Sequence, residues 1–122
     1  MIVEVRTYRV RPGLRDRFLE LFTRRTGPLQ RSLGMGIVGP LVSLHDPDVF
    51  IWLRTFPSLE ARERMTRALY EGDEWLGELR AIALPMLDGY TETLTETAPA
   101  CFDDLSHAVS PGASASQPHP DS

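Results

Sequence analysis

The sequence predicts an α+β domain, a four-stranded antiparallel sheet with helices in the ferredoxin-like order βαββαβ. Three observations carry this. Four segments read as strands by alternation or by β-branched and aromatic content, and the segments between them place apolar residues at helical spacing. The tight Asp46-Pro47-Asp48 turn joins the two middle strands as an antiparallel hairpin. A length of 122 residues suits one domain.

The first strand spans about residues 2–10, where Val3, Val5 and Thr7 alternate with Glu4, Arg6 and Tyr8, and Pro12-Gly13 closes it. From about Leu14 a helix follows, with Leu14, Phe18, Leu21, Phe22 and Leu29 on one face. Gly27-Pro28 predicts a break or kink, because an interior proline removes a hydrogen bond and clashes with the preceding turn. The second strand covers about 35–45 and carries a bend or bulge near Gly36, Gly39 and Pro40. The third runs from Val49 to Phe56. Ser58 caps the next helix, whose inner face reads as Ala61, Met65, Ala68 and Leu69. Asp73 is the expected cap of a further helix carrying Trp75, Leu79 and Ile82, which Pro85 ends. The fourth strand covers about 86–97, with Thr91, Thr93 and Thr95 alternating with Glu92, Leu94 and Glu96. The domain is therefore 1–97. Residues 98–122 are rich in Ser, Pro and Ala, with too few large apolar groups to offset the entropy of ordering, and read as a disordered tail.

Every one of the 13 basic residues is Arg, which keeps its charge when partly buried and bonds through a planar fork. The net charge of −4 hides an asymmetry: residues 1–31 hold eight Arg against three acids, and residues 32–97 hold five Arg against eleven. The basic first helix lacks clustered aromatics and the domain is acidic overall, which argues against nucleic acid as a partner. No segment approaches the roughly 18 apolar residues of a membrane span, and the N-terminus shows no secretory pattern, so a cytoplasmic protein without a membrane partner is expected. The lone Cys101 makes no intrachain disulfide, and nothing nearby lowers its pKa. His107 and His119 lie in the tail, and no metal-ligand spacing, phosphate loop or nucleophile elbow is present. No metal or cofactor is expected.

The compact rows Val3, Val5, Thr7 and Val49, Ile51, Leu53, Thr55 suit packing against helices. The opposite rows, Glu4, Arg6, Tyr8 and Phe50, Trp52, Arg54, Phe56, are too aromatic for a solvent face. That predicts a homodimer in which two such sheets face each other and enclose the Arg6–Trp52 row.

The stretch Glu4-Val5-Arg6-Thr7-Tyr8, followed by Arg11-Pro12-Gly13 and Phe18, resembles the start of a NIPSNAP domain. Trp52, Arg54, Phe56, Ser58-Leu59, Arg62 and Asp73-Glu74-Trp75 agree in order, so the resemblance covers about 1–97. It implies a dimeric α/β barrel, in a superfamily that includes cofactor-independent monooxygenases, haem-degrading enzymes, polyketide cyclases and stress-response barrels. Bacterial members sometimes accompany natural-product pathways. Position 56 is Phe where many relatives would carry Tyr, which takes a hydroxyl from the expected site row.

Six residues are candidates for a site. Arg6 and Arg54 can bind a substrate carboxylate, or can form a structural ion network with Glu4 and Glu92. Tyr8 and Tyr90 can donate to an enolate or phenolate oxygen, or can simply pack. His45, the only histidine of the domain, is a candidate general base and the one residue to consider for haem, or a surface residue beside a turn. Trp52 can stack on a planar ligand, whereas Trp75 reads as core. Two functions fit. The first is a small-molecule barrel, enzyme or accessory protein, that binds a hydrophobic, partly anionic compound through Arg6, Trp52, Arg54 and Tyr90, with Tyr8 or His45 moving a proton. The second is a non-catalytic dimerisation or interaction protein with a filled interior. A cavity of about 300 Å³ or more favours the first, and a filled interior favours the second.

Overall fold

The structure is a computed structural model and describes residues 1–98. Its elements are β1 (Ile2–Val10), α1 (Arg15–Leu21), a π-helical turn (Phe22–Thr26), α2 (Gly27–Ser32), β2 (Gly36–Val42), β3 (Val49–Phe56) and α3 (Leu59–Tyr70). A second π-helical turn (Trp75–Leu79), α4 (Arg80–Ala83), a 3₁₀ turn (Leu84–Met86) and β4 (Leu87–Glu96) complete them. The sheet is antiparallel with order β2-β3-β1-β4, as the ferredoxin-like reading requires. The expected tail, with Cys101, His107 and His119, lies outside the described residues.

Helix ends follow local chemistry. The Ser58 hydroxyl accepts from the Ala61 N–H at 3.1 Å and caps α3 as expected. At the end of α2, Gly34 adopts φ +100°, its N–H bonds to Arg31 O and the Met35 N–H bonds to Gln30 O, which together make a Schellman cap. One expectation fails: no side chain caps the segment after Gly72, so Asp73 does not act as predicted. At Gly27-Pro28, where a break or kink is expected, the helix does not break. It passes through the π-helical turn, in which the Gly27 N–H reaches back to Phe22 O, and Pro28 falls in the first turn of α2, where a missing N–H is tolerated. The extra residue of a π turn rotates the remainder of the helix about its axis. Phe18 and Phe22 are therefore succeeded on the inner side by Thr26 and Gln30. In α3, Ala68 is exposed and the inner face runs through Ala61, Met65 and Leu69.

The sheet is turned over relative to the sequence expectation. Phe50, Trp52 and Phe56 are the buried residues of β3, and they pack against helix residues: Phe50 and Trp52 with Phe18, Phe22 and Ala83, and Phe56 with Leu69. Glu4, Arg6 and Arg54 lie buried on the same side. The row of Val5, Thr7, Val49, Ile51, Leu53 and Thr55 forms the other face, which is only half-buried. The expectation treated charges as a reason to avoid a helix-covered side. It did not allow for these charges neutralising one another across the strands. The Arg6–Trp52 row is consequently enclosed within one chain, not between two.

Gly34→Ala is expected to lower unfolding free energy by about 1–2 kcal/mol, the cost of a left-handed non-glycine residue, in urea denaturation; an unchanged midpoint would contradict the role of the cap.

Candidate functional site

Register builds the site. In β1 and β3, Glu4 lies opposite Arg54, Arg6 opposite Trp52 and Tyr8 opposite Phe50. On the other side of β1, Arg6 lies opposite Glu92 and Tyr8 opposite Tyr90 of β4. Alternate residues of a strand share a face, so all of these side chains project toward the helices.

Glu4, with no exposed surface, is the hub. Its Oε1 accepts from Arg54 Nε at 2.8 Å and from Arg6 Nη1 at 2.9 Å. Its Oε2 accepts from Arg62 Nε of α3. Arg6 Nη1 also donates to Glu92 Oε1, and Arg62 Nη2 donates to Glu92 Oε2 at 2.9 Å. Arg54 Nη1 donates to Gln30 Oε1 and to the Tyr70 hydroxyl, both at 3.0 Å. The Gln30 amide is itself anchored on Thr26 O at 3.1 Å, so the π-turn rotation serves to hold Arg54. Three guanidiniums thus face two carboxylates, leaving one positive charge in excess.

These charges sit among rings. Arg6 Cζ lies 5.1 Å from the Tyr90 ring centroid, 5.3 Å from Trp52 and 5.6 Å from Tyr8, within cation–π range. Arg54 Cζ lies 5.5 Å from Trp52 on its other flank. Phe22 meets Trp52 edge-on at 4.9 Å, and Tyr70 meets Trp75 at 5.5 Å. Between sheet and helices a cavity of about 270 Å³ remains, close to the lower end of small-molecule pockets. Sheet residues Arg6, Tyr8, Trp52, Arg54 and Tyr90 line one wall. Phe18, Phe22, Leu29, Gln30, Tyr70 and Trp75 line the helical wall.

Protonation states follow from these contacts. Burial by itself would raise the Glu4 pKa, but Arg54, Arg62 and Arg6 outweigh it and hold the carboxyl below its ordinary value. Glu4 is therefore a structural anion with its oxygens occupied, not a general base. Burial pushes the Tyr8 pKa up, against the pull of Arg6, so the phenol keeps its proton at neutral pH. Its oxygen accepts from Arg6 Nη2 at 3.2 Å and its hydrogen is free to be given to a ligand. Tyr8 is arranged as a donor.

Five of the six residues singled out from sequence, Arg6, Tyr8, Trp52, Arg54 and Tyr90, meet at this cavity. His45 does not. It is exposed in the β2–β3 turn, where its backbone N–H bonds to the Ser43 hydroxyl, and it is not among the lining residues. Phe56 is also off the cavity, in a core cluster with Ile2, Met35 and Leu69, so its lack of a hydroxyl does not alter the site. Tyr70 and Gln30 were missed by sequence reasoning, and Arg62 was noted without a site role. Arg62, Thr66, Leu69 and Tyr70 do stand at helical spacing along α3, a signal obscured by reading only apolar residues as inward. Gln30 was illegible because an α-helical period does not allow for the π turn. Among the described residues no group of three His, Cys, Asp or Glu side chains is placed to hold a metal ion, and no helix is long and apolar enough to cross a membrane.

A ferredoxin-like sheet with a charged and aromatic cavity beneath its helices defines the class of protein. Within it, the chain belongs to the NIPSNAP family, whose family model matches residues 3–99. Solved relatives agree. Protein Atu4242 from Agrobacterium tumefaciens is 26% identical, with a TM-score of 0.71, over 81% of this chain and 95% of its own. An uncharacterised NIPSNAP domain protein from Burkholderia xenovorans is 18% identical, with a TM-score of 0.73, over 83% and 98%. A putative antibiotic biosynthesis monooxygenase from Nitrosomonas europaea shares the fold at 16% identity and a TM-score of 0.61, over 80% and 98%. No curated protein matches the chain.

Because Glu4 titrates below its unfolded value, its contribution is present above the ordinary Glu range and is lost as pH falls through the folded pKa. Glu4→Gln leaves the buried Arg54 guanidinium without a carboxylate, and Arg6 and Arg62 with Glu92 alone. It is expected to cost about 3–5 kcal/mol at pH 7 and to flatten the acid limb of a stability–pH profile measured by urea melts. Wild-type stability at neutral pH in the variant would remove Glu4 from its central place.

Proposed function

We propose that the protein binds a small, hydrophobic, singly anionic molecule in the cavity between sheet and helices, as a cofactor-independent enzyme or accessory protein of bacterial natural-product metabolism. The observation that carries the reading is a cavity of about 270 Å³ with aromatic walls, beside a network in which three guanidiniums share two carboxylates. The net positive charge of that network favours an anionic group, and aromatic walls favour an apolar body attached to it. The cavity of about 270 Å³ falls slightly short of the 300 Å³ expected of a binding site, but the interior is not filled, which supports this reading over an interaction protein. The family resemblance, and neighbours named as antibiotic biosynthesis monooxygenases, support the metabolic setting by fold alone.

The protein acts as a homodimer through the face of the sheet opposite the cavity. Val38 and Leu41 of β2 are exposed. The register sets Val38 beside Leu53 and Leu41 beside Ile51, and continues the rows to Val5 and Thr7 of β1. An open sheet face of this composition is stabilised by a second copy related by a two-fold axis.

Two measurements test this. A thermal-shift screen of aromatic and polyketide-like acids is expected to give hits that Arg54→Met abolishes, because the variant balances the cavity's charges; hits retained in full by a folded variant would refute the charge argument. In size-exclusion chromatography with light scattering, the wild type is expected to elute as a dimer and Leu53→Arg as a monomer; a wild-type monomer at micromolar concentration would refute the dimer.

A further inference from the structure

Resting on the ligand-binding reading above, we infer that the cavity is entered between α3 and β4, and that Arg62 at this opening receives the carboxylate of an apolar monocarboxylic acid whose body enters first. The lining residues divide by exposure. Phe18, Phe22, Trp52 and Ala83 line the cavity and are buried. Tyr70 of α3, Leu84 of the 3₁₀ turn, and Tyr90 and Glu92 of β4 line it too, yet reach solvent. Residues that belong both to a cavity wall and to the surface mark its mouth, so the mouth lies between α3 and β4. Arg62 belongs to this rim. It shares one face of α3 with Thr66 and Tyr70 at successive steps of four residues, and all three line the cavity.

Arg62 is the guanidinium of the network that a ligand can reach. The side chains of Arg6 and Arg54 are 4% and 2% exposed, and that of Arg62 is 29% exposed. Arg54 donates to Glu4, Gln30 and Tyr70, and Arg6 donates to Glu4, Glu92 and Tyr8. An anion meeting either one would displace bonds on a buried face. Arg62 donates through one edge, Nε to Glu4 and Nη2 to Glu92. Its Nη1 stands at the other corner of the planar fork and makes no hydrogen bond among the described residues. The two carboxylates hold the guanidinium in place, so little order is lost when an acid meets Nη1. Glu92, beside it on the rim, has each oxygen bonded to a guanidinium, Oε1 to Arg6 and Oε2 to Arg62.

The step from mouth to floor sets the orientation and the class of ligand. The floor of Phe18, Phe22, Trp52 and Ala83 favours a carbon body, whose burial stabilises in proportion to its area. A carboxylate carried down among those side chains would lose its water. Left at the mouth, it keeps part of its hydration and gains a charge-assisted hydrogen bond from Arg62. Its single negative charge matches the one positive charge by which the network's guanidiniums exceed its carboxylates. A dianion overshoots that charge, and a neutral amide leaves it unmatched. A cavity of about 270 Å³ limits the body to one ring or a short chain.

The test is calorimetric titration of the full chain with hydrocinnamate and octanoate, each beside its neutral amide. At least one acid is expected to bind better than its amide. Arg62→Met is expected to weaken that acid about tenfold, the loss of one charge-assisted hydrogen bond, and to leave the amide within about twofold. No loss for the acid, or an equal loss for acid and amide, overturns the role of Arg62 and leaves the general ligand-binding reading standing. No binding by either acid overturns both. Should Arg62→Met fail to fold, nuclear Overhauser contacts in the labelled wild type answer the same question. They are expected from the acid's α-methylene to Arg62 Hδ and the Tyr90 ring, and from its far end to the Phe22 and Trp52 rings. An α-methylene seated against Phe22 and Trp52 overturns the proposal.

Discussion

Everything in this domain turns on one carboxylate. Glu4 is fully buried in β1, yet it receives guanidiniums from its own strand, from the neighbouring strand β3 and from helix α3. A buried carboxylate alone would neutralise itself or unfold its surroundings, and a buried guanidinium alone would do no better. Together, and with Glu92 on β4, they let a charged sheet face take a cover of helices. The network also joins β1, β3, β4 and α3 by bonds with fixed directions, which constrains how the helices sit on the sheet. Such a network is weak evidence for net stability and better evidence for a specified arrangement.

The arrangement leaves a cavity because the polar cluster and the aromatic cluster do not fill the same space. Side chains that satisfy one another at the strand level stay close to the sheet. The helices stand off on Phe18, Phe22 and Trp75. Two of the three helical segments that line the cavity carry a π-helical turn, and the first brings Thr26 and Gln30 inward where a regular helix would not. π turns occur mostly as local departures at functional sites, and here the departure has an identifiable result: Gln30 accepts from Arg54 and secures the guanidinium deepest in the network. Among the described residues, the buried side-chain polar atoms left without a partner are Arg6 Nε and Trp52 Nε1, both on this wall.

Much of the fold and part of the site could be read in the chain. Strand 1 falls where alternation puts it, strand 3 spans Val49–Phe56 as read, and Ser58 caps the helix it precedes. Arg6, Tyr8, Trp52, Arg54 and Tyr90 share one wall because period-two alternation and strand adjacency place them there. His45 was singled out for its chemistry alone, with no register to tie it to the others, and it lies elsewhere. Gln30 and Tyr70 escaped notice because one depends on a π turn and the other on a polar inner face of α3.

By itself, then, the chain's pattern determined the order of elements, the pairing of β1 with β3 and the company of residues on each face, because these depend on local periodicity and short connections. Which face meets the helices was decided only in three dimensions. Hydrophobic patterning ranks faces by composition, and by that measure the row containing Glu4, Arg6 and Arg54 is the worse one to bury. Its burial becomes favourable only when the register sets acid beside base across three strands and Arg62 arrives from a helix 58 residues away. That cancellation is a property of positions in space, and no stretch of the sequence contains it.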